Sequence, residues 1–180
     1  MTSSTAHRLL ALIRDRSLLR EGAFQLASGG SSNYFFDMKK TMFDPEGAAL
    51  LADLLFERIE GEDVDFVGGL ETGAIPIVAG VCRRSWPERP IKGFFVRKEY
   101  KGHGTDRLID GYLEPGARVI LFDDVTTTGG SVMKAVEKAR QFGCEIVKVV
   151  TVVDRLEGAR ENFAKEGIRF EALFTRADFS

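Results

Sequence analysis

The run IVKVVTVV at residues 146–153 constrains the fold of this 180-residue chain more than any other stretch. It is almost continuously β-branched, with no alternation of apolar and polar positions. A strand of that kind is covered on both faces, which in a water-soluble domain means a parallel sheet between two layers of helices. The rest of the chain alternates accordingly. Apolar strand patterns at 64–70, 91–96, 118–122 and 168–174 are separated by helical patterns at 74–84, 129–142 and 157–166. Upstream, Leu9, Leu10, Leu12 and Ile13 have helical spacing within residues 6–16. Asp44, Pro45 and Glu46 read as a helix start, an Asp cap followed by Pro at the first helical position and an acid near the positive end. That helix is expected to run to about Ile59, with Gly61 ending it, and Gly143 is expected to stop a later one. Residues 24–42 are rich in Ser, Gly and aromatics, with a strand-like core at 34–37. The expectation is one α/β domain over residues 1–180.

Composition excludes several classes of function. A net charge of −2 leaves no bulk basic field for nucleic acid. No apolar run approaches the ~20 residues of a membrane span. Charges interrupt the apolar part of the N-terminal segment, so it does not read as a signal peptide. The two cysteines, Cys82 and Cys144, sit in apolar stretches outside any CxxC pair, and read as buried thiols in a reducing cytoplasm.

Two polar segments interrupt this pattern. In VILFDDVTTTGGS, residues 119–131, an apolar strand turns abruptly into two acids, three threonines and two glycines just before a helix. Ligands of open α/β sheets bind at the carboxyl ends of strands. Glycines let backbone approach a ligand, and N–H groups at a helix N-terminus bind phosphate. Thr126, Thr127, Thr128 and Ser131 add hydroxyls. Asp123 and Asp124 would repel a phosphate, so they must face something else: ribose hydroxyls, or a Mg²⁺ held by the ligand's own oxygens. No GxxxxGK[ST] phosphate loop occurs. The second segment, residues 97–112, carries Arg97, Lys98, Lys101, His103 and Arg107 with three glycines. It is too polar to pack, and a long loop in a compact domain is usually functional or disordered.

The first segment resembles the phosphoribosyl pyrophosphate (PRPP) signature of type I phosphoribosyltransferases. The second, RKEYKGHG, resembles the flexible catalytic loop of the orotate phosphoribosyltransferases through Arg97, Lys98, Glu99, Lys101, His103 and Gly104. The resemblance implies the type I phosphoribosyltransferase fold, α/β, with a mainly parallel twisted sheet flanked by helices and a small N-terminal hood from about residues 1–42. It also implies Mg²⁺-dependent transfer of ribose 5-phosphate from PRPP to orotate, yielding orotidine 5′-monophosphate and pyrophosphate in pyrimidine biosynthesis. PRPP binding then falls to Arg97, Lys98, Lys101, His103, Asp123, Asp124, Val125, Thr126, Thr127, Thr128, Gly129, Gly130 and Ser131. Lys101, His103 and Asp124 take the catalytic roles. The metal is held mainly by PRPP oxygens rather than by a protein cluster. In the family the loop reaches the neighbouring subunit's site, which implies a homodimer with residues 97–112 crossing over.

On the acceptor side, the resemblance makes LASGGSSNYFFDMKK a hood over the base, with Phe35 and Phe36 flanking a flat pyrimidine. Arg155, just after the buried strand, takes the orotate carboxylate, for which a guanidinium fork is geometrically suited. Thr127 helps hold the base. Many members carry basic residues where this chain has Ala27, Gly30 and Ser31, and Lys39 or Lys40 is available to compensate. Glu71, Thr72 and Gly73, at the end of another strand, resemble the family's second pyrophosphate-binding turn. The alternatives are a purine phosphoribosyltransferase, which shares chiefly the PRPP signature, and a non-catalytic PRPP-sensing regulator. The latter would need a nucleic-acid-binding surface, and the chain has neither an added helix-turn-helix segment nor a basic face.

Overall fold

The computed structural model describes residues 3–20, 24–25, 31–32, 34–99 and 108–179. Helix α1 (Ser3–Leu12) runs into a wider π-type turn over Ile13–Ser17. Four short strands follow: β1 (Leu18–Leu19), β2 (Phe24–Gln25), β3 (Ser31–Ser32) and β4 (Phe35–Phe36). β1 pairs antiparallel with β4, and β2 with β3. After the single turn α2 (Lys39–Met42), helix α3 (Pro45–Ile59) begins as its sequence dictates. Asp44 accepts a hydrogen bond from the Gly47 N–H at 2.9 Å, and Pro45 occupies the first turn.

The main sheet is built from β5 (Phe66–Gly69), β6 (Lys92–Val96), β7 (Ile109–Gly111), β8 (Arg118–Thr126), β9 (Glu145–Asp154) and β10 (Phe170–Thr175). Between them run α4 (Ala74–Ser85), α5 (Gly130–Gln141) and α6 (Ala159–Lys165). The strand order is β10-β9-β8-β5-β6-β7, and every pair is parallel except β6 with β7. This is the expected mainly parallel sheet. Ile120, Phe122, Val150 and Val152 pack with α1, α3 and α4 on one face. Val119, Leu121 and Val149 pack with α5 and α6 on the other. Burying each such side chain completely is worth roughly 1.5–3 kcal/mol.

The polar residue inside the β-branched run is accommodated by pairing. Lys148 is 2% exposed, donates to the Arg58 carbonyl at 2.8 Å, and forms ion pairs with Glu62 at 3.0 Å and Glu171 at 2.9 Å. Two boundaries differ from the sequence reading in ways that matter for the site. β8 does not stop at Phe122 but runs on to Thr126, because β9 is long enough to pair with Asp123, Val125 and Thr126. The segment read as a loop over residues 97–112 has a strand for its returning arm. β7 pairs with β6, and the Arg97 N–H donates to the Leu108 carbonyl at 2.8 Å. Of the two cysteines, Cys144 is buried as expected and Cys82 only half-buried. Among the described residues, no helix is long and apolar enough to cross a membrane.

Candidate active site

The carboxyl end of β8 carries the acid pair inside the sheet rather than on a loop. Asp123 is 8% exposed, and its Oδ2 accepts a hydrogen bond from the Thr126 hydroxyl at 2.7 Å. That hydroxyl also lies 3.0 Å from the hydroxyl of Thr151 on β9, which in turn donates to the Asp123 carbonyl at 3.3 Å. Burial, and secondarily the charge of Asp124, pushes the Asp123 carboxyl up to about 7, against the pull of Thr126. Burial likewise raises Asp124, while the Val125 N–H and the positive charges of Lys39 and Lys98 favour its ionised form. Thr126 therefore departs from its expected role. Its buried hydroxyl is bonded to Asp123 within the sheet, because β8 continues through it and pairs it with Asp154 of β9.

The turn itself is short. Thr127 and Thr128 are half-buried and lead to Gly129, which adopts φ +87°. A Cβ there would lie 2.8 Å from the Phe163 ring, so both conformation and space require glycine. Helix α5 starts at Gly130 with no side-chain cap, and Ser131 is exposed in its first turn. Asn162 donates to the Thr128 carbonyl at 3.0 Å and ties the turn to α6. The first N–H groups of α5 have no acceptor within the helix, and Thr127, Thr128, Gly130 and Ser131 lie in sequence at that end.

The end of β5 lies against this turn. A Cβ on Gly73 would sit 2.4 Å from Asp124 Oδ1, so the Glu71, Thr72 and Gly73 segment presses directly on the acid pair. Glu71 also gathers the root of the basic loop. Its carboxylate accepts from the Lys98 N–H at 2.8 Å and lies 3.7 Å from the Arg97 guanidinium. Arg97 donates from Nε to Asp110 at 2.6 Å, bridging the two arms of the hairpin. Lys101 and His103 lie outside the described residues, as do Ala27 and Gly30.

At the end of β9, Arg155 is 3% exposed, and its N–H donates to the Thr126 carbonyl at 2.9 Å. The chain then turns sharply. Asp154 Oδ1 accepts from the Leu156 N–H at 2.8 Å, and Leu156 adopts φ +60°. Arg155 Nε donates to Glu157 at 2.9 Å, and its guanidinium lies 4.3 Å from the centre of the Tyr34 ring. The aromatic pair of the hood divides. Phe36 is a core residue, packed edge-on to Phe179 at 5.0 Å and to Tyr34 at 5.8 Å, so it does not flank a ligand. Phe35, its neighbour along the pleat, is half-buried on the opposite side of β4. Neither Tyr34 nor Glu157 was legible as a site residue. Each is an ordinary aromatic or charged residue in a local pattern, and only the meeting of hood and β9 brings the two together around Arg155.

This arrangement has known counterparts. The sequence profile of the phosphoribosyl transferase domain matches residues 40–171. An orotate phosphoribosyltransferase of Rhodopseudomonas palustris is 48% identical, the alignment covering 98% of this chain and 97% of that protein. The chain belongs to the orotate phosphoribosyltransferases. A more distant orotate phosphoribosyltransferase, from Aquifex aeolicus, is 46% identical with 93% of each chain covered. Among solved structures, the Mycobacterium tuberculosis orotate phosphoribosyltransferase in complex with PRPP superposes with a TM-score of 0.82. It is 34% identical, over 97% of this chain and 98% of that one. The sheet order, the hood strands and the turn after β8 are therefore features of an orotate phosphoribosyltransferase.

Proposed function

We propose that this chain transfers the 5-phosphoribosyl group of PRPP to N1 of orotate, forming orotidine 5′-monophosphate and pyrophosphate in pyrimidine (UMP) biosynthesis. The observation that carries this reading is the junction of β8 and β9. A phosphate-type turn with two carboxylates follows β8, and Arg155, a buried arginine at the end of β9, is tied to the end of β8 by the backbone hydrogen bond from its N–H to the Thr126 carbonyl. A phosphorylated ribose and a carboxylated base fit those two features side by side. The Rhodopseudomonas palustris and Aquifex aeolicus relatives, named orotate phosphoribosyltransferases and covered over 97% and 93% of their lengths, support the same substrates.

In the reaction the bond from the anomeric carbon to the pyrophosphate oxygen breaks, the bond to N1 forms, and N1 loses its proton. The ribosyl centre becomes cationic by analogy with glycosidic cleavage. Asp123 and Asp124 accept hydrogen bonds from the ribose hydroxyls. Thr127, Thr128, Gly129, Gly130 and Ser131 take the 5′-phosphate, with Val125 shaping the approach. Arg97, Lys98, Lys101 and His103 face the pyrophosphate, where positive charge stabilises the leaving group. Arg155 takes the orotate carboxylate, with Thr127 and Phe35 beside the ring. Lys39, whose charge favours the ionised form of Asp124, is the cation available where the hood lacks one at Ala27.

Among the described residues no three His, Cys, Asp or Glu side chains converge as a metal cluster, and the acid pair precedes the turn. That donor set fits a Mg²⁺ held mainly by PRPP oxygens, where the ion would neutralise pyrophosphate charge. The functional unit is one domain with residues 1–42 as its hood, working as a homodimer whose 97–112 segment reaches the partner's site. Two unpaired thiols fit a cytoplasmic location.

The test is an assay with PRPP, Mg²⁺ and either orotate, uracil, adenine or hypoxanthine. Pyrophosphate release with orotate is expected, and turnover confined to a purine overturns the reading. Replacing Lys101 by Ala should lower kcat by about 10²-fold, with a much smaller effect on PRPP affinity. An unchanged kcat removes Lys101 from the mechanism.

A further inference from the structure

Tyr34 occupies an unusual electrostatic position. Its ring lies 4.3 Å from the Arg155 guanidinium and 5.1 Å from that of Arg176, so two cations contact one aromatic side chain. Glu157 completes the group. It accepts from Arg155 Nε at 2.9 Å and lies 3.5 Å from the Tyr34 hydroxyl. Among the described contacts, two guanidinium groups and one carboxylate meet at this ring, an excess of positive charge that suits an anionic acceptor.

A guanidinium on a flexible stem loses much of its advantage for a carboxylate unless its plane is fixed. The side chain of Arg155 has several rotatable bonds, and two contacts restrict them here. The ring covers one face of the guanidinium, and the carboxylate of Glu157 holds the Nε edge. Neither Tyr34 nor Glu157 belongs to the PRPP turn or to the basic loop. Tyr34 is reached from the hood side through β4, and Glu157 lies on the bend after β9. The contact of ring and guanidinium therefore joins two segments that are remote in sequence.

We propose that Tyr34 and Glu157 are positioning residues for acceptor recognition, fixing the Arg155 guanidinium in the orientation that receives the carboxylate of a pyrimidine. This rests on the proposed orotate activity. It assigns discrimination between a carboxylated and an unsubstituted pyrimidine to the ring and the carboxylate behind the arginine, as well as to the arginine itself.

The experiment measures steady-state kinetics with orotate and with uracil, and PRPP binding by calorimetry, for Tyr34→Leu, Tyr34→Phe and Glu157→Leu. Tyr34→Leu should raise KM for orotate about tenfold, since a partly desolvated ring and cation contact is lost. PRPP affinity should stay within about twofold, and kcat/KM for uracil should barely change, because only the carboxylate contact is disturbed. Tyr34→Phe keeps the ring face and should restore nearly normal kinetics. Glu157→Leu separates positioning from simple charge. Removing a negative charge by itself would tighten binding of an anion, whereas loss of positioning should raise KM for orotate about three- to fivefold. A Tyr34→Leu protein that binds PRPP normally and shows an unchanged KM for orotate overturns the inference. If that variant no longer binds PRPP, Glu157→Leu decides, and an unchanged or lowered KM overturns it. Failure of the unaltered protein to use orotate overturns the functional reading and this inference together. Normal use of orotate with unaffected variants overturns only the inference.

Discussion

Asp123 at the end of β8 is held inside the sheet by the Thr126 hydroxyl, with Thr151 on the neighbouring strand supporting it. Arg155 at the end of β9 is held by a ring from the hood and a carboxylate from the following bend. The first group is fixed by central, paired strands, the second by side chains from segments far apart in sequence. Central strand pairing is among the most rigid surroundings a protein offers, while short strands and bends open more readily. The difference separates a seat built into the sheet, proposed for the ribose phosphate, from a grip assembled by the hood and a bend, proposed for the base.

Breaking the rigid half should have the largest effect. Asp124→Asn keeps the shape of the side chain beside Gly73 but removes its charge at the proposed ribosyl site, and should lower kcat/KM by about 10²-fold or more. Steady-state kinetics with saturating orotate test this, and a loss below about threefold would place the ribose hydroxyls elsewhere. A protein mixed from Lys101→Ala and Asp124→Asn subunits sharpens the same point, because a loop acting across subunits should restore one intact site per dimer.

On the half assembled from the hood and the bend, Arg155→Lys keeps the charge but loses the planar fork. It should raise KM for orotate about tenfold with little change in PRPP affinity. Equal losses for both substrates would show that the two halves are one mechanical unit.

The smallest effect concerns stability. Burial raises the Asp123 carboxyl to about 7, above its ordinary value in an unfolded chain. A carboxyl raised in the folded state favours folding most while protonated, so its contribution is full at low pH and is lost as pH rises through about 7. Asp123→Asn removes this dependence. Relative to the unaltered protein, its thermal midpoint should gain several degrees between about pH 5 and pH 8, at roughly 2–4 °C per kcal/mol. Parallel pH profiles for the two proteins would mean that Asp123 titrates normally. The comparison also separates stability from activity, since the buried acid costs stability in the unliganded protein and is proposed to be useful only when ribose hydroxyls meet it.

Local patterns carried much of the architecture. The β-branched run at 146–153 is the buried strand β9, and Asp44 with Pro45 starts α3 where expected. Gly129 stands where the turn needs a left-handed residue with no side chain. The composition of residues 119–131 marked the turn proposed to take the phosphate, because the hydroxyls, glycines and helix start that make such a turn are contiguous in the chain. Even there the boundary was misplaced. Acids and threonines read as loop, but the length of β9 extends β8 through Thr126 and turns that hydroxyl inward.

The acceptor side depended on the tertiary structure for the complementary reason. Tyr34, Arg155, Glu157 and Arg176 come from the residue before β4, the bend after β9 and the segment following β10, and no spacing rule joins them. Phe35 and Phe36 are indistinguishable as letters, yet the pleat of a two-residue strand sends Phe36 to the core. Sequence alone determined the layers of the fold and the chemistry of the turn, since both follow from residues adjacent along the chain. Only the folded structure decided which hydroxyl holds Asp123 and which ring holds Arg155, because those contacts form when distant strands and the hood are packed together.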